Sequence, residues 1–480
     1  MKSLMVLVTA GCFVSSCLGA DPQLVWPRFR GPNGSGVADN QAPPVKFGPE
    51  SNVKWKVNVP SGLSSPIVVG DKLVLTAFEN EKLYTIAYGR ADGKEAWRRE
   101  APAKQIEKYL KDEGSPAAST PATDGKRIIS YFGSCGLICY DLDGKELWKY
   151  PMPTAVTWAN FGSGVSPILA DGLVILVRDE LKGSRIVAVK ADNGELQWEK
   201  ARQSMISYCT PVLWETPGGK QIVVAGIGRM IGYDLKTGQE KWFVAGMPAG
   251  PCASPVVAAC NLFFAGWSPG SPDDKENQLP SFNALLKDAD ADKDGALSKA
   301  EIQKTPFKDS FDALDFNKDG KITRDEWEKV LKMVSEAKNS VFAVSPGGTG
   351  DISDSHIPWR KRKGLPYVPS AIVYRGQVVM AKDGGFVSAY DAKSGDEVYI
   401  QERLAASGRY YASPVAANGY IYFTSLDDGT VSVVKAGTAK PELVARNPKL
   451  GERVSATPAI ADNTLYVRTA SKLYAFAEKK

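Results

Sequence analysis

The chain has 480 residues, 43% of them hydrophobic, with a formal net charge of +5. A length of this kind accommodates more than one core, and the positive excess is too dilute to mark a nucleic-acid protein. A single histidine, His356, excludes a multi-histidine metal site.

Met1-Lys2 followed by a short apolar run from Ser3 to Ser16 reads as an export signal, too short to span a bilayer. Two exits are open. Cleavage after Leu18-Gly19-Ala20 releases a protein starting at Asp21. Alternatively Val14-Ser15-Ser16-Cys17 resembles a bacterial lipoprotein box, with Cys17 lipidated and the membrane reached only through that lipid. The expected location is periplasmic or extracellular. Beyond the signal lie Cys135, Cys139, Cys209, Cys252 and Cys260, an odd number that does not suggest a full disulfide framework. Cys135 with Cys139, or Cys209 with Cys252, are candidate pairs, and buried free thiols are the other reading.

From residue 51 onward the sequence repeats. A Ser/Thr-Pro step before an apolar run recurs at Ser65-Pro66, Thr120-Pro121, Ser166-Pro167, Thr210-Pro211, Ser254-Pro255, Ser413-Pro414 and Thr457-Pro458, with Ser370-Ala371 as an eighth copy. From Pro121 the spacings are 46, 44 and 44 residues, and from Ala371 they are 43 and 44. A fixed period of this length signals a propeller or a solenoid. Inside one repeat, Ile168 to Val177 reads as two strands about an Asp-Gly turn, Ile186 to Lys190 as a third, and Asp192-Asn-Gly leads to Trp198 on a fourth. Related turns precede Trp97, Trp148 and Trp242, and Tyr399 takes the Trp place in a later copy. The expected fold is all-β, an eight-bladed β-propeller. The last repeat stops after its third strand, and Val53 to Val57 looks like the missing fourth, closing the ring.

The step from Pro255 to Ala371 is 116 residues, and the excess over one period falls between the second and third strands of blade 5. Within it, Asp290 to Glu301 (DADKDGALSKAE) and Asp315 to Glu326 (DFNKDGKITRDE) are two complete twelve-residue EF-hand loops. A hard cation takes six to eight oxygens. The first loop offers Asp290, Asp292, Asp294, the Ala296 carbonyl, Ser298 and Glu301. The second offers Asp315, Asn317, Asp319, the Lys321 carbonyl, Thr323 and Glu326. Two bound Ca2+ ions are therefore expected. Gly295 and Gly320 permit the sharp turn, and Leu297 and Ile322 are placed to form a short β-bridge. Phe282, Leu285 and Leu286, and Trp327, Val330, Leu331 and Val334, have helical spacing. Residues 271–339 carry 16 acidic and 12 basic side chains, so the ring is the basic part. The expected division is a signal at 1–20, an extension at 21–50, propeller at 51–269 and 340–480, and a small α-helical EF-hand pair at 270–339 in blade 5.

The turn-plus-Trp repeat, as in Asp234-Leu-Lys-Thr-Gly-Gln-Glu-Lys-Trp242, resembles that of pyrroloquinoline quinone (PQQ) propellers, and the resemblance spans residues 50 to 478 apart from the insert. Trp26-Pro-Arg-Phe-Arg-Gly-Pro-Asn-Gly-Ser-Gly36 resembles a signature ahead of PQQ-like propellers in secreted bacterial proteins. The resemblance implies blade docking and not a cofactor. Its superfamily holds quinoprotein dehydrogenases and non-catalytic relatives, among them the propeller lipoprotein of the outer-membrane barrel assembly machinery. This chain lacks the adjacent Cys pair and the Cys-x-x-Cys-His of many such dehydrogenases. The expectation is an exported calcium-binding propeller acting as a non-catalytic binding or assembly scaffold. The alternatives are a PQQ-dependent oxidoreductase, with Trp158 and Asn160 as a quinone platform, and a carbohydrate-binding or polysaccharide-processing propeller; PQQ itself is not expected. Arg360 to Lys363, Tyr367, Arg409, Tyr410, Tyr411 and Arg453 are candidates to ring the channel mouth, ordinary solvated charge with aromatic blade packing being the favoured reading, and the channel face is expected to take a protein, or an anionic or sugar-like ligand. His356 is the one candidate histidine base.

Overall fold

The computed structural model describes residues 24–181, 183–272, 274–276 and 278–478. The export signal, with Cys12 and Cys17, lies outside them. Eight blade sheets stand around one axis, antiparallel except where Gly350–Asp351 adds a parallel edge to blade 4. Blade 3 shows the logic, with strands Ile168–Ala170, Leu173–Arg178, Arg185–Lys190 and Leu196–Ala201 running outward in order. Its two middle strands are packed on both faces and read as nearly continuous apolar runs, whereas the outermost strand buries Trp198 alone. Closure is as expected: Val53–Asn58 pairs antiparallel with Lys472–Phe476 and completes blade 8.

The Ser/Thr-Pro step has a single physical cause. Each backbone N–H at that step donates to the Ser or Thr hydroxyl oxygen of the next blade, Ser65 to Thr120, Thr120 to Ser166, and so on to Thr457, which returns to Ser65. These eight N···O distances lie between 2.9 and 3.1 Å. The belt satisfies buried donors that sheet pairing leaves open, which is why a hydroxyl recurs at that position.

A second ring holds the outer faces. The indole N–H groups of Trp55, Trp97, Trp148 and Trp198 donate to the carbonyls of Arg90, Leu142, Ala191 and Leu235 on the following blade. Under each indole lies the turn glycine of that next blade; a Cβ on Gly194 would sit 2.6 Å from the Trp148 ring, and its φ is +73°. Two expectations change here. Trp242 donates to Gln221 within its own blade, and Trp214 makes the bond to the next blade, at the Cys260 carbonyl. Blade 5 has no Asp-x-x-Gly turn after its third strand, so the usual seat for Trp242 is missing. Trp359 is the docking tryptophan of blade 5, donating to Ala392 above Gly395.

The chain leaves blade 5 after strand Asn261–Gly266 and returns at Ser340–Val344. Between them lie helices α1 (Phe282–Ala289), α2 (Phe311–Leu314) and α3 (Arg324–Val334). Phe282, Leu285, Leu297, Ile302, Ile322, Trp327 and Val330 form the insert's own core. Asn339 joins its two stalks, accepting from the Ser268 N–H at 2.9 Å and donating to the Ser268 carbonyl at 3.1 Å.

The N-terminal signature forms a strap across the opposite face. Leu24–Trp26 pairs with the inner strand of blade 1, Asn33 donates to Leu213 in blade 4, Arg30 donates to Ala371 in blade 6, and Val37 bridges Ala416 in blade 7. One segment thus spans the ring from side to side.

Candidate functional site

The two insert loops have matching backbones. Lys293 and Lys318 both sit at φ +62°, and Gly295 and Gly320 at +83° and +88°. In the first loop the carboxylate oxygens of Asp290, Asp292 and Asp294 converge within 4.8 Å. The Gly295 N–H donates to Asp290 Oδ2 at 3.1 Å, while Asp290 Oδ1 is buried without a partner. Glu301 accepts from the Ala291 N–H at 2.8 Å and from the Ser298 hydroxyl at 2.7 Å. Those bonds, the Ser298 hydroxyl first, hold its carboxyl down at about 2. The second loop repeats this: Gly320 donates to Asp315 Oδ2 at 3.0 Å, Asp319 to Asn317 Oδ1 at 2.9 Å, and Thr323 to Glu326 Oε2 at 2.8 Å. Leu297 and Ile322 pair as expected, with Ser298 opposite Lys321. The Lys321 ammonium crosses from the second loop to the Asp294 carboxylate of the first. Ionised oxygens gathered around an unpaired buried oxygen are what a hard divalent cation would take up.

The insert does not stand away from the ring. It lies over the axis, above a chamber of about 960 Å3. Leu285, Val330 and Val334 supply the roof, Phe29 of the strap reaches the floor, and the belt hydroxyls with Trp158, Tyr208, Tyr367 and Tyr411 supply walls. Trp158 is the hinge pin of this contact, packing on both the insert core and the cluster of Met205, Ile227, Ala249, Val334 and Ala337 that joins insert to ring. At the rim Arg229 makes a two-pronged ion pair with Glu336, at 2.8 and 3.1 Å.

The candidate basic mouth is not assembled. Arg360 and Lys361 lie on the outermost strand of blade 5, and Arg360 donates to the carbonyls of Ala245 and Gly246 in blade 4, away from the chamber. Arg409 and Arg453 do face the mouth, but Arg409 is paired with Glu113 at 3.3 Å and Asp427 at 3.1 Å, and Arg453 with Glu113 at 3.8 Å. The Tyr411 hydroxyl also donates to Glu113. Tyr410 is buried in the ring, its hydroxyl on the Ala406 carbonyl. Asn160 follows Trp158 in the same tight turn but is not part of the chamber lining. His356 is remote from the axis, its ring beside the Ser355 hydroxyl at 2.8 Å. Among the described residues Cys135, Cys139, Cys209 and Cys252 are free thiols, with Cys139 and Cys209 buried; the Cys209 thiol donates to the Ala253 carbonyl at 2.8 Å.

Sequence reasoning missed Glu113 and Glu107, both on the connection from blade 1 to blade 2, which crosses the mouth. The signal was available: Pro66 to Pro121 is 55 residues, well over one period. Glu107 is buried, accepting from the Ser163 hydroxyl at 2.7 Å and N–H at 3.1 Å, with Oε1 unpartnered. Burial pushes its carboxyl up to about 7.

Against this geometry, a family model described as outer membrane protein assembly factor BamB matches residues 85–249 and 331–480. The chain belongs to this family. The gap in the BamB match falls on the insert, where an EF-hand model matches residues 282–304 and 307–331. An outer membrane protein assembly factor BamB from Burkholderia pseudomallei (strain K96243) is 22% identical over 441 residues, covering 89% of this chain and 88% of its own. The crystal structure of BamB from Moraxella catarrhalis superposes with a TM-score of 0.53 at 12% identity, covering 88% of this chain and 98% of that one. A europium-containing methanol dehydrogenase superposes with a TM-score of 0.57 at 10% identity, covering 96% and 99%. These structural likenesses are likenesses of fold. PQQ carries several carboxylates, whereas the charged residues lining the chamber are Glu113 and Asp288, with no basic residue among the described lining. The residues present do not fit that group.

Proposed function

We propose that this chain is an exported, calcium-binding BamB-like propeller that serves as a protein-binding or assembly scaffold, presenting its EF-hand pair on the channel face. The observation that carries it is the first EF-hand loop, whose Asp290, Asp292 and Asp294 carboxylates converge around a buried, unpartnered Asp290 Oδ1, with a second loop of the same backbone beside it. Asp290, Asp292, Asp294, the Ala296 carbonyl, Ser298 and Glu301 hold one Ca2+. Asp315, Asn317, Asp319, the Lys321 carbonyl, Thr323 and Glu326 hold the other, position 9 acting directly or through water. Cation ligation offsets carboxylate repulsion and the cost of ordering the insert. Similarity to BamB proteins supports a protein partner and an outer-membrane-associated location.

Calcium calorimetry on the full chain tests this reading. Two calcium equivalents are expected, falling to one in Glu301→Gln and in Glu326→Gln, because each loses its bidentate anion. No calcium heat from a folded sample would overturn the assignment. The alternative, a PQQ-dependent oxidoreductase, has Trp158 on the wall of the axial chamber in its favour and the absence of a basic residue from the described lining against it. Absorbance titration with PQQ, followed by a dye-linked alcohol oxidation assay, separates the two.

A further inference from the structure

The chamber is too large for a packing defect. Protein interiors hold few voids larger than a water molecule, and a space of about 960 Å3 is at the upper end of small-molecule sites. Solvent reaches it, because Met333 and Tyr367, 38% and 37% exposed, are part of its lining. Aromatic rings supply much of the wall: Phe29 on the strap, Phe307 on the insert, and Trp158, Tyr367 and Tyr411 on the ring. The belt hydroxyls on the wall are neutral and already accept bonds from neighbouring blades.

Charge sets this chamber apart from an ordinary apolar cleft. Its described lining holds two carboxylates, Glu113 and Asp288, and no Lys, Arg or His. Glu113 is compensated from outside the lining, by Arg409 at 3.3 Å and Arg453 at 3.8 Å. Asp288 is not. It is exposed, and its side chain makes no hydrogen bond or ion pair among the described residues. On α1 it shares a face with Ala284 and Leu285, and all three line the chamber, so its carboxylate belongs to the side of the helix turned to that space. Lys287, its neighbour on α1, is not part of the lining. An uncharged body filling the chamber would strip water from the Asp288 carboxylate and return nothing, and an anion would be repelled. A cation replaces the lost water with an opposite charge, and aromatic faces add to its attraction. We infer that the chamber binds an organic cation, an apolar or aromatic body bearing one positively charged nitrogen that pairs with the Asp288 carboxylate. This goes beyond the scaffold reading and does not depend on calcium binding.

The test uses the full chain in saturating calcium, which competes for the loop carboxylates, and thioflavin T, an aromatic cation that fluoresces when its internal rotation is hindered. Saturable binding of one dye per chain is expected, about tenfold or more tighter than that of its uncharged dimethylaminophenyl-benzothiazole analogue or of the anionic anilinonaphthalene sulfonate. Asp288→Asn should weaken the cation by about three- to tenfold and leave the uncharged analogue unchanged, a split that general damage to the insert would not produce. Rising salt should weaken the cation alone. Gly250→Trp, at a chamber position where a Cβ would meet only Ile206 at 3.7 Å, should fill the space and abolish binding without loss of the fold. Absent saturable binding, equal affinity for the uncharged or anionic dye, or full affinity in folded Gly250→Trp overturns the site; full affinity of the cation in Asp288→Asn overturns the counter-ion. No calcium heat overturns the function proposed above and leaves these outcomes readable, because Gly250→Trp separates binding in the chamber from binding at the loops.

Discussion

At the scale of single residues, the buried carboxyl of Glu107 gives the fold a pH dependence. It accepts from Ser163 on the blade 2–blade 3 connection, and burial raises it from 4.5 to about 7 against the opposing charge of Arg178. A carboxyl raised on folding holds more protons in the native state than in the unfolded chain. Stability therefore falls as pH rises from about 4.5 to about 7, and the loss is complete above that window. Glu107→Gln should remove this slope. Denaturant midpoints should show the variant gaining on the parent with rising pH, by up to about 3 kcal/mol at pH 8. Equal pH dependence in the two proteins would contradict the burial argument. Glu301 shows the opposite environment: hydroxyl and backbone donors stabilise its ionised form, as a cation ligand requires.

Among elements, the tryptophan-over-glycine contact is the repeating joint of the ring. Gly194 serves two needs at once, a positive φ and room for the Trp148 ring. Gly194→Ala should cost at least about 2 kcal/mol, from left-handed strain and displacement of the indole. Trp148→Ala should cost about 3–5 kcal/mol, from the lost buried area and its bond to Ala191. Adding Gly194→Ala to Trp148→Ala should then cost much less than it does alone, a coupling of about 1–3 kcal/mol in a double-mutant cycle. Additive costs would mean that the two residues do not press on each other. This joint was plain in the repeat because docking uses a fixed spacing. Trp214 and Trp359 were not, because blade 5 lacks the turn after its third strand on which Trp242 would have docked.

For the whole molecule, the ring and the insert have separate cores joined through Trp158, the Arg229–Glu336 pair and the Asn339 latch. The ring is closed by strand pairing, by the hydroxyl belt and by the strap, and none of these uses the calcium loops. Chelator should therefore open residues 270–340 to limited proteolysis while the far-ultraviolet β signal of the propeller is retained. Loss of that signal on chelation would show that calcium supports the ring itself. No helix among the described residues is long and apolar enough to cross a membrane.

Features that arise from short-range chemistry or from a strict period were legible in the sequence. The eight Ser/Thr steps, seven of them followed by Pro, the Gly-Trp joints and the Val53 closing strand follow from hydrogen bonds and packing repeated once per blade, so each leaves the same mark at the same spacing. The EF-hand loops were legible because one cation draws its oxygens from twelve consecutive residues. What joins distant blades leaves no such mark. Glu113 meets Arg409 across 296 positions, and Arg30 meets Ala371 across 341. The strap across the axis, the neutralised mouth and the insert lying over a chamber were decided by tertiary structure alone, because ring closure brings these segments together and no local pattern encodes which residues will meet.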